Sequence, residues 1–308
     1  MARYALRRIV EAIPVFLGVV LVVFLLYSVV PGDPARLLAG QRGDPETIAR
    51  IRADWGLDRP LHEQFFSFVW SAIRFDLGRS YRNNMDVLDA ILLRVPATLE
   101  LVVASLLLGG VVGISVGIIS AVRQNTFLDY LAMTGAVIGI SAPTFWIGLL
   151  LILVFALKLG WIPGMGYGDG RWIYLVLPAV TLATRPMALL ARITRSAMLE
   201  TIRQDYIRTA RAKGLSEWAV TVKHALRNAL IPVVTILGTE TAAMLGGVVV
   251  TETVFAWPGL GRLFVEALTF RDYPIIRGQV LFLATVFIVA NLIVDLSYAL
   301  FDPRIRYE

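Results

Sequence analysis

Four ionisable side chains sit inside or at the edges of long apolar runs: Arg185, Glu240, Glu252 and Asp295. A charge at the centre of a bilayer costs about 2.5–3.5 kcal/mol even on lenient insertion scales, so each must face protein or a water-filled cavity. Two arrangements meet that demand. Either the groups line a polar pathway, or they pair with one another and snorkel to span ends, which suits Glu252 and Asp295 near their boundaries. A second concentration of charge is basic: Arg192, Arg195, Arg203, Arg208, Arg211, Lys213, Lys223 and Arg227 stand against Glu200, Asp205 and Glu217. Catalytic chemistry has little to work with. There is no cysteine, hence no thiol nucleophile, no thiolate metal site and no disulfide framework. The two histidines, His62 and His224, lie outside the apolar runs, so no metal site is expected. No Gly-Lys dipeptide occurs, so a phosphate-binding loop is missing and any ATP must be hydrolysed by another chain.

The elements that carry these groups are membrane-length. Hydrophobic residues make up 57% and charged residues 17% of the chain, with mean hydropathy +0.71, whereas a soluble domain has about 25% charged residues. Stretches 9–30, 98–121, 131–157, 173–191, 229–255 and 280–300 approach or exceed the roughly 20 apolar residues that cross a bilayer. The expected fold is an all-α membrane protein with six transmembrane helices. The first run follows Arg3, Arg7 and Arg8 as a signal peptide would, but it is long and ends in Val-Val-Pro-Gly-Asp-Pro without a small-x-small cleavage site, so it reads as a retained span. Residues 1–8, the turn around Arg123, residues 192–228 and the tail 302–308 share one side and hold most of the uncompensated basic charge. The positive-inside rule makes that side cytoplasmic, with both termini on it. This topology accounts for the net charge of +6, and no nucleic-acid partner is implied.

Residues 31–95 form an extracytoplasmic segment in which nine arginines balance nine acids, between the first span (1–30) and a core at 96–308. Asp44-Pro45-Glu46 has an N-cap residue, a first-turn proline and an acid, followed by Ile48, Ile51 and Trp55 at helical spacing. A second helix from Pro60 places Leu61, Phe65, Phe68, Val69, Ala72 and Ile73 on one face before Asp76-Leu77-Gly78 stops it. These faces lie on the membrane surface, cover the outer mouth, or cap the bundle as packing alone. Within the spans, Gly109, Gly113 and Gly117 form a small-residue row that allows close helix approach. Pro143, just after Ser141, should kink the third span.

Residues 204–232 hold the basic cluster between two spans. Asp205 to Lys213 is rich in helix formers, Gly214 fits a left-handed stop, Ser216 fits the next N-cap, and Glu217 suits that helix's first turn. On the second helix Lys223 and Arg227 are four apart, with Trp218 and Val222 as a neighbouring apolar patch. Such a segment either docks a protein through an aromatic anchor or rests on anionic lipid heads.

The strings Tyr206-Ile-Arg-Thr-Ala-Arg-Ala-Lys-Gly214 and His224-Ala-Leu-Arg-Asn-Ala-Leu-Ile-Pro232 resemble the coupling loop of inner-membrane permeases of binding-protein-dependent ABC importers, in the dipeptide/oligopeptide branch. Anchored on Gly214, the general signature matches Ala210 and Leu226 and departs at Arg208 and Arg227. Further matching stretches are Val30-Pro-Gly-Asp-Pro34, Leu57-Asp-Arg-Pro60, Asp76-Leu-Gly78, Arg192-Ile-Thr-Arg-Ser-Ala-Met-Leu199, Thr251-Glu-Thr-Val-Phe-Ala-Trp-Pro-Gly-Leu-Gly261, Arg271-Asp-Tyr-Pro274 and Asp302-Pro-Arg304. The resemblance implies a half-permease importing di- or oligopeptides, or another solute such as glutathione, nickel or an oligosaccharide. It implies a homologous second permease subunit, two ATPase subunits that use ATP and Mg, and an extracytoplasmic substrate-binding protein. ATPase coupling would then fall to Ala210, Arg211, Lys213, Gly214, Leu215, Ser216, Trp218, Lys223, Leu226 and Arg227, on a second short helix near 215–226. The outer mouth would hold Trp257, Pro258 and Gly259. An ion-coupled secondary transporter is the competing class, though no internal repeat supports it.

Overall fold

The computed structural model describes residues 2–29, 44–54 and 58–301. The matches at 30–34 and 302–304, together with Trp55 and Leu57, lie outside the described residues. Helices dominate, and the described residues contain no strand beyond an isolated bridge between Arg79 and Asp86. In chain order they are α1 (Ala2–Val29), α2 (Pro45–Asp54), α3 (Leu61–Ile73), α4 (Val87–Val122), α5 (Phe127–Ser141) and α6 (Thr144–Leu151). A π-helical stretch Ile152–Lys158 extends α6, and α7 (Ile173–Ile202), α8 (Asp205–Ala212), a π-helical stretch Ala219–Ala225, α9 (Leu226–Val254), α10 (Leu260–Phe270) and α11 (Tyr273–Phe301) follow. Among the described residues three helices are long and apolar enough to cross a membrane alone: Val87–Val122, Ile173–Ile202 and Ala219–Thr241. The pair Phe127–Ser141 and Thr144–Lys158 makes a fourth if counted as one span, and α1 and α11 contain shorter apolar stretches, Val10–Leu25 and Tyr273–Val289.

Two expectations change. Pro143 does more than kink the third span: α5 and α6 meet at 111°. Proline removes a backbone donor and forces the preceding residue out of the helical region, and Ala142 is extended at ψ 134°. The second helix of the basic segment does not end near Leu226 but runs through the π-helical stretch straight into α9.

The chain divides into two compact units, Arg94–Val265 and a second made of Met1–Leu93 with Glu266–Glu308. In the former, direction can be read from the contacts. Gly109, Gly113 and Gly117 of α4 meet α7 in ascending order, at Ala183 and Met187, then Met187 and Leu190, then Ala191 and Thr194, so α4 and α7 run parallel. The close approach requires glycine: a Cβ at 113 would lie 2.5 Å from the Met187 carbonyl oxygen, and one at 117 would lie 2.6 Å from that of Ala191. Gly139 of α5 faces Thr184 and Ala188 whereas Gly148 of α6 faces Thr181, the descending order, so α5–α6 returns against α7. α9 also opposes α7, because Ala179 and Leu182 share a core with Met244 and Val248 while Met198 shares another with Ala225 and Ala229. Four alternating passes result. The two cores lie at opposite ends of α7, about 24 Å apart at 1.5 Å per residue, close to a hydrocarbon thickness of about 30 Å.

In the other unit α1 packs along α11, and Phe24 of α1 meets Phe65 and Phe68 of α3 with ring centroids 5.4 and 6.0 Å apart. The Arg277 guanidinium lies 4.7 Å over the Phe68 ring. The loop after α3 is fixed by Asp272, which accepts from the Ser80 hydroxyl and, at 3.1 Å, from the Tyr81 N–H.

Candidate functional site

The basic segment closes one end of the four-pass bundle. α8 ends in a left-handed glycine cap: Gly214 has φ +77°, and the Leu215 N–H reaches back to the Ala210 carbonyl at 3.4 Å. A Cβ at Gly214 would meet nothing within 4 Å, so the glycine is needed for its conformation rather than for space. Ser216 then caps the next helix, its Oγ accepting from the Ala219 N–H at 3.4 Å. Arg211 and Glu217 clip the turn from either side, with Nε–Oε1 2.9 Å and Nη2–Oε2 3.3 Å. Arg211 is therefore bonded within its own chain.

The inner side of this segment is apolar. Ile207, Ala210, Val220 and Ala225 are buried with Ala121, Met198 and Ala229, and Leu226 packs on their edge. The outer side carries Arg211, Lys213, Gly214, Leu215, Ser216, Lys223 and Arg227, all exposed, and Trp218 at 73% exposure. The π-helical stretch behind it widens the turn just where the segment joins α9, a feature concentrated at functional sites.

Just inside this end lies a buried ion pair that sequence reasoning missed. Asp129, 2% exposed at the start of α5, accepts two bonds from Arg195 of α7, at 2.6 Å from Nε and 2.7 Å from Nη2. It also accepts from the Ser120 hydroxyl and, at 3.0 Å, from the Asn125 N–H. One carboxylate thus binds the end of α4, the α4–α5 turn and α7. An acid opening an apolar run was the available signal, but its partner stands in a cluster of eight cations and nothing local selects it.

The opposite end is built around Glu252 and Trp257. Glu252 is fully buried, and Thr98 donates to its Oε1 at 2.6 Å while the Arg262 N–H donates to Oε2 at 3.1 Å. The carboxylate thereby caps the start of α10, where the helix dipole favours a negative group. Leu260 N–H donates to Thr98 Oγ1 at 2.8 Å and completes the knot. Trp257 is 1% exposed, gives its indole N–H to the Ala97 carbonyl at 2.8 Å, and stands edge-on to Tyr167. The Tyr167 hydroxyl donates to Glu100 at 3.0 Å, and this carboxylate together with burial raises the phenol pKa. Pro258 is half-buried, and Gly259 is so close to Glu252 that a Cβ would lie 2.0 Å from Oε1. Between the two ends, Glu240 is buried and Arg185 exposed, and the antiparallel register of α7 and α9 sets them at similar depth. Asp295 lies in α11, and its side chain is outside the described residues. Glu252, at the far end of α9, is thus apart from Glu240 and Arg185.

A family model for the binding-protein-dependent transport system inner membrane component matches residues 113–307, and the model for the N-terminal part of such membrane components matches residues 1–102. The chain belongs to this family. The permease is 44% identical to the glutathione transport system permease proteins of Escherichia coli K12 and Pectobacterium atrosepticum, over the whole of both chains in each case. It is 40% identical to the dipeptide transport system permease protein of Alkalihalophilus pseudofirmus, again end to end. A solved amino acid ABC transporter overlays with TM-score 0.50 at 19% identity, covering 71% of this permease and 93% of that chain, which supports the helical fold. As an inner-membrane component the permease is multi-pass, and its family is the membrane part of such importers rather than their ATPase.

Proposed function

We propose that this permease is a six-helix half of a translocation path for di- or oligopeptides, working by alternating access. A second, homologous permease subunit would complete the path, two ATPase subunits would bind ATP and Mg, and a substrate-binding protein would deliver cargo from outside. Both termini and residues 192–228 face the cytoplasm in this reading. The observation that carries it is the exposed Trp218 surface backed by a buried apolar core at one end of the bundle. A polar segment with its own core and an unburied aromatic anchor suits a protein partner better than a loop resting on lipid heads. The glutathione permeases among its relatives make a tripeptide with an unusual linkage a specific second substrate reading.

Coupling runs through α8 and the helix after Ser216. ATP-driven closure of the partner presses on Leu215, Trp218, Lys223 and Arg227, and the core beneath passes the displacement to α4, α7 and α9. Gly214→Arg tests this, since an arginine at φ +77° is strained while the surrounding space is open. In the assembled transporter the expected outcome is normal complex formation with loss of substrate-stimulated ATP hydrolysis and uptake. Wild-type stimulation in that variant would reject the assignment. Competition of labelled dipeptide uptake by glutathione separates the two substrate readings.

A further inference from the structure

The helix α3 has an apolar arc far wider than the protein covers. At 3.6 residues per turn, Phe68, Leu61, Ala72, Phe65, Val69, Ile73, Phe66 and Trp70 spread over about 200° of its circumference, interrupted by the exposed His62 in the first turn, and Glu63, Arg74, Ser67, Ser71 and Gln64 fill most of the rest. The inner part of the arc is used: Phe68 and Ala72 are buried, and Phe65 and Phe68 pack on Phe24 of α1. The outer part is bare, with Phe66 67%, Trp70 57% and Ile73 54% exposed. It is continuous with the apolar flank of α1. Phe66 packs on Phe65, which packs on Phe24, and next to Phe24 on α1 the side chains of Leu21 and Leu25 are themselves exposed. At the border between the bare arc and the polar side, the Arg74 guanidinium lies 4.3 Å over the Trp70 ring, an aromatic body with a cation at its water edge.

We infer that α3 lies in the membrane interface, with Phe66, Trp70 and Ile73 in the acyl boundary and Arg74 at the level of anionic headgroups. Aromatic residues with a flanking arginine match that boundary, and the polar side of the helix turns to water. The inference rests on the reading of α1 as a membrane span. It makes α3 a float that fixes the depth of the outer end of α1.

Because the chain has no cysteine, single substitutions can place a nitroxide at chosen points. The full transporter, reconstituted in phosphatidylethanolamine–phosphatidylglycerol vesicles, would carry Phe66→Cys, Trp70→Cys, Ile73→Cys, Glu63→Cys or Ser67→Cys, with unsubstituted assembly as background and retained uptake as the folding control. Collision rates with oxygen and with a water-soluble nickel chelate report depth. Labels at 66, 70 and 73 are expected to favour oxygen several-fold over labels at 63 and 67. Equal nickel accessibility at all five would put the arc in water and overturn the proposal. Low accessibility to both reagents at 66, 70 and 73 would show a protein cover and also overturn it. Leu21→Cys separates the two readings: water-like behaviour there rejects α1 as a span, whereas lipid-like behaviour there with water-like behaviour at 70 rejects the interfacial helix alone.

Discussion

Trp218 and Trp257 both stand beside a glycine turn, at opposite ends of the same bundle, and they have opposite fates. Trp218 is 73% exposed and Trp257 1%. At the Trp257 end the turn folds inward: its indole plugs the space between α4, α7 and α9, and Glu252 and Thr98 hold the chain as it enters α10. At the Trp218 end aliphatic residues, Ile207 and Val220 with Ala210 and Ala225, do the packing, and the large aromatic side chain is left exposed. One end is finished within the chain and the other is left open. The same local signal therefore means a plug at one end and a candidate anchor at the other, and burial decides between them.

Four substitutions, in three experiments, test that contrast. Trp257→Ala should be the most damaging, removing a buried aromatic worth about 3–5 kcal/mol and an indole hydrogen bond; a large fall in the thermal midpoint of the detergent-purified transporter is expected. An unchanged midpoint would mean that the plug bears no load. Arg195→Met comes next, because it strands the Asp129 carboxylate in a buried site at a cost of about 3 kcal/mol. Adding Asp129→Asn should recover part of that loss, and strict additivity of the two changes would show that the ion pair is not the stabilising unit. Trp218→Ala should cost least, under about 0.5 kcal/mol of stability, leaving the midpoint almost unchanged while reducing co-purification of the proposed ATPase partner. Should Trp218→Ala destabilise the protein as much as Trp257→Ala, the contrast between the two ends collapses.

What could be read from sequence was what is local. Gly214 and Ser216 sit within a few residues of the backbone groups they serve, so their roles as a left-handed stop and an N-cap follow from residue type. Likewise Asp44-Pro45 announces α2, and the glycine row on α4 announces a close helix partner. Glu252 was legible as a group that must face protein, but not as the acceptor for Thr98, which is 154 positions away. The Asp129–Arg195 pair, 66 positions apart, was hidden for the same reason. Pro143 marked an interruption, while its size depends on how α6 packs against α7. The continuation of the basic segment into α9 was missed because the helix was ended where polar residues give way to the apolar run, and a change of polarity without a breaker residue does not stop a helix.

The glycine row has a mechanical consequence. Along the α4–α7 seam the clearance is less than a methyl group at Gly113 and Gly117. Sliding one helix along the other by half a turn, about 2.7 Å, would drive side-chain carbons into positions that only a glycine can occupy. The two helices are geared together, and shear along their common axis is the motion this joint forbids. A load applied at one end of this pair should therefore move α4 and α7 together, as one body rather than as two sliding rods.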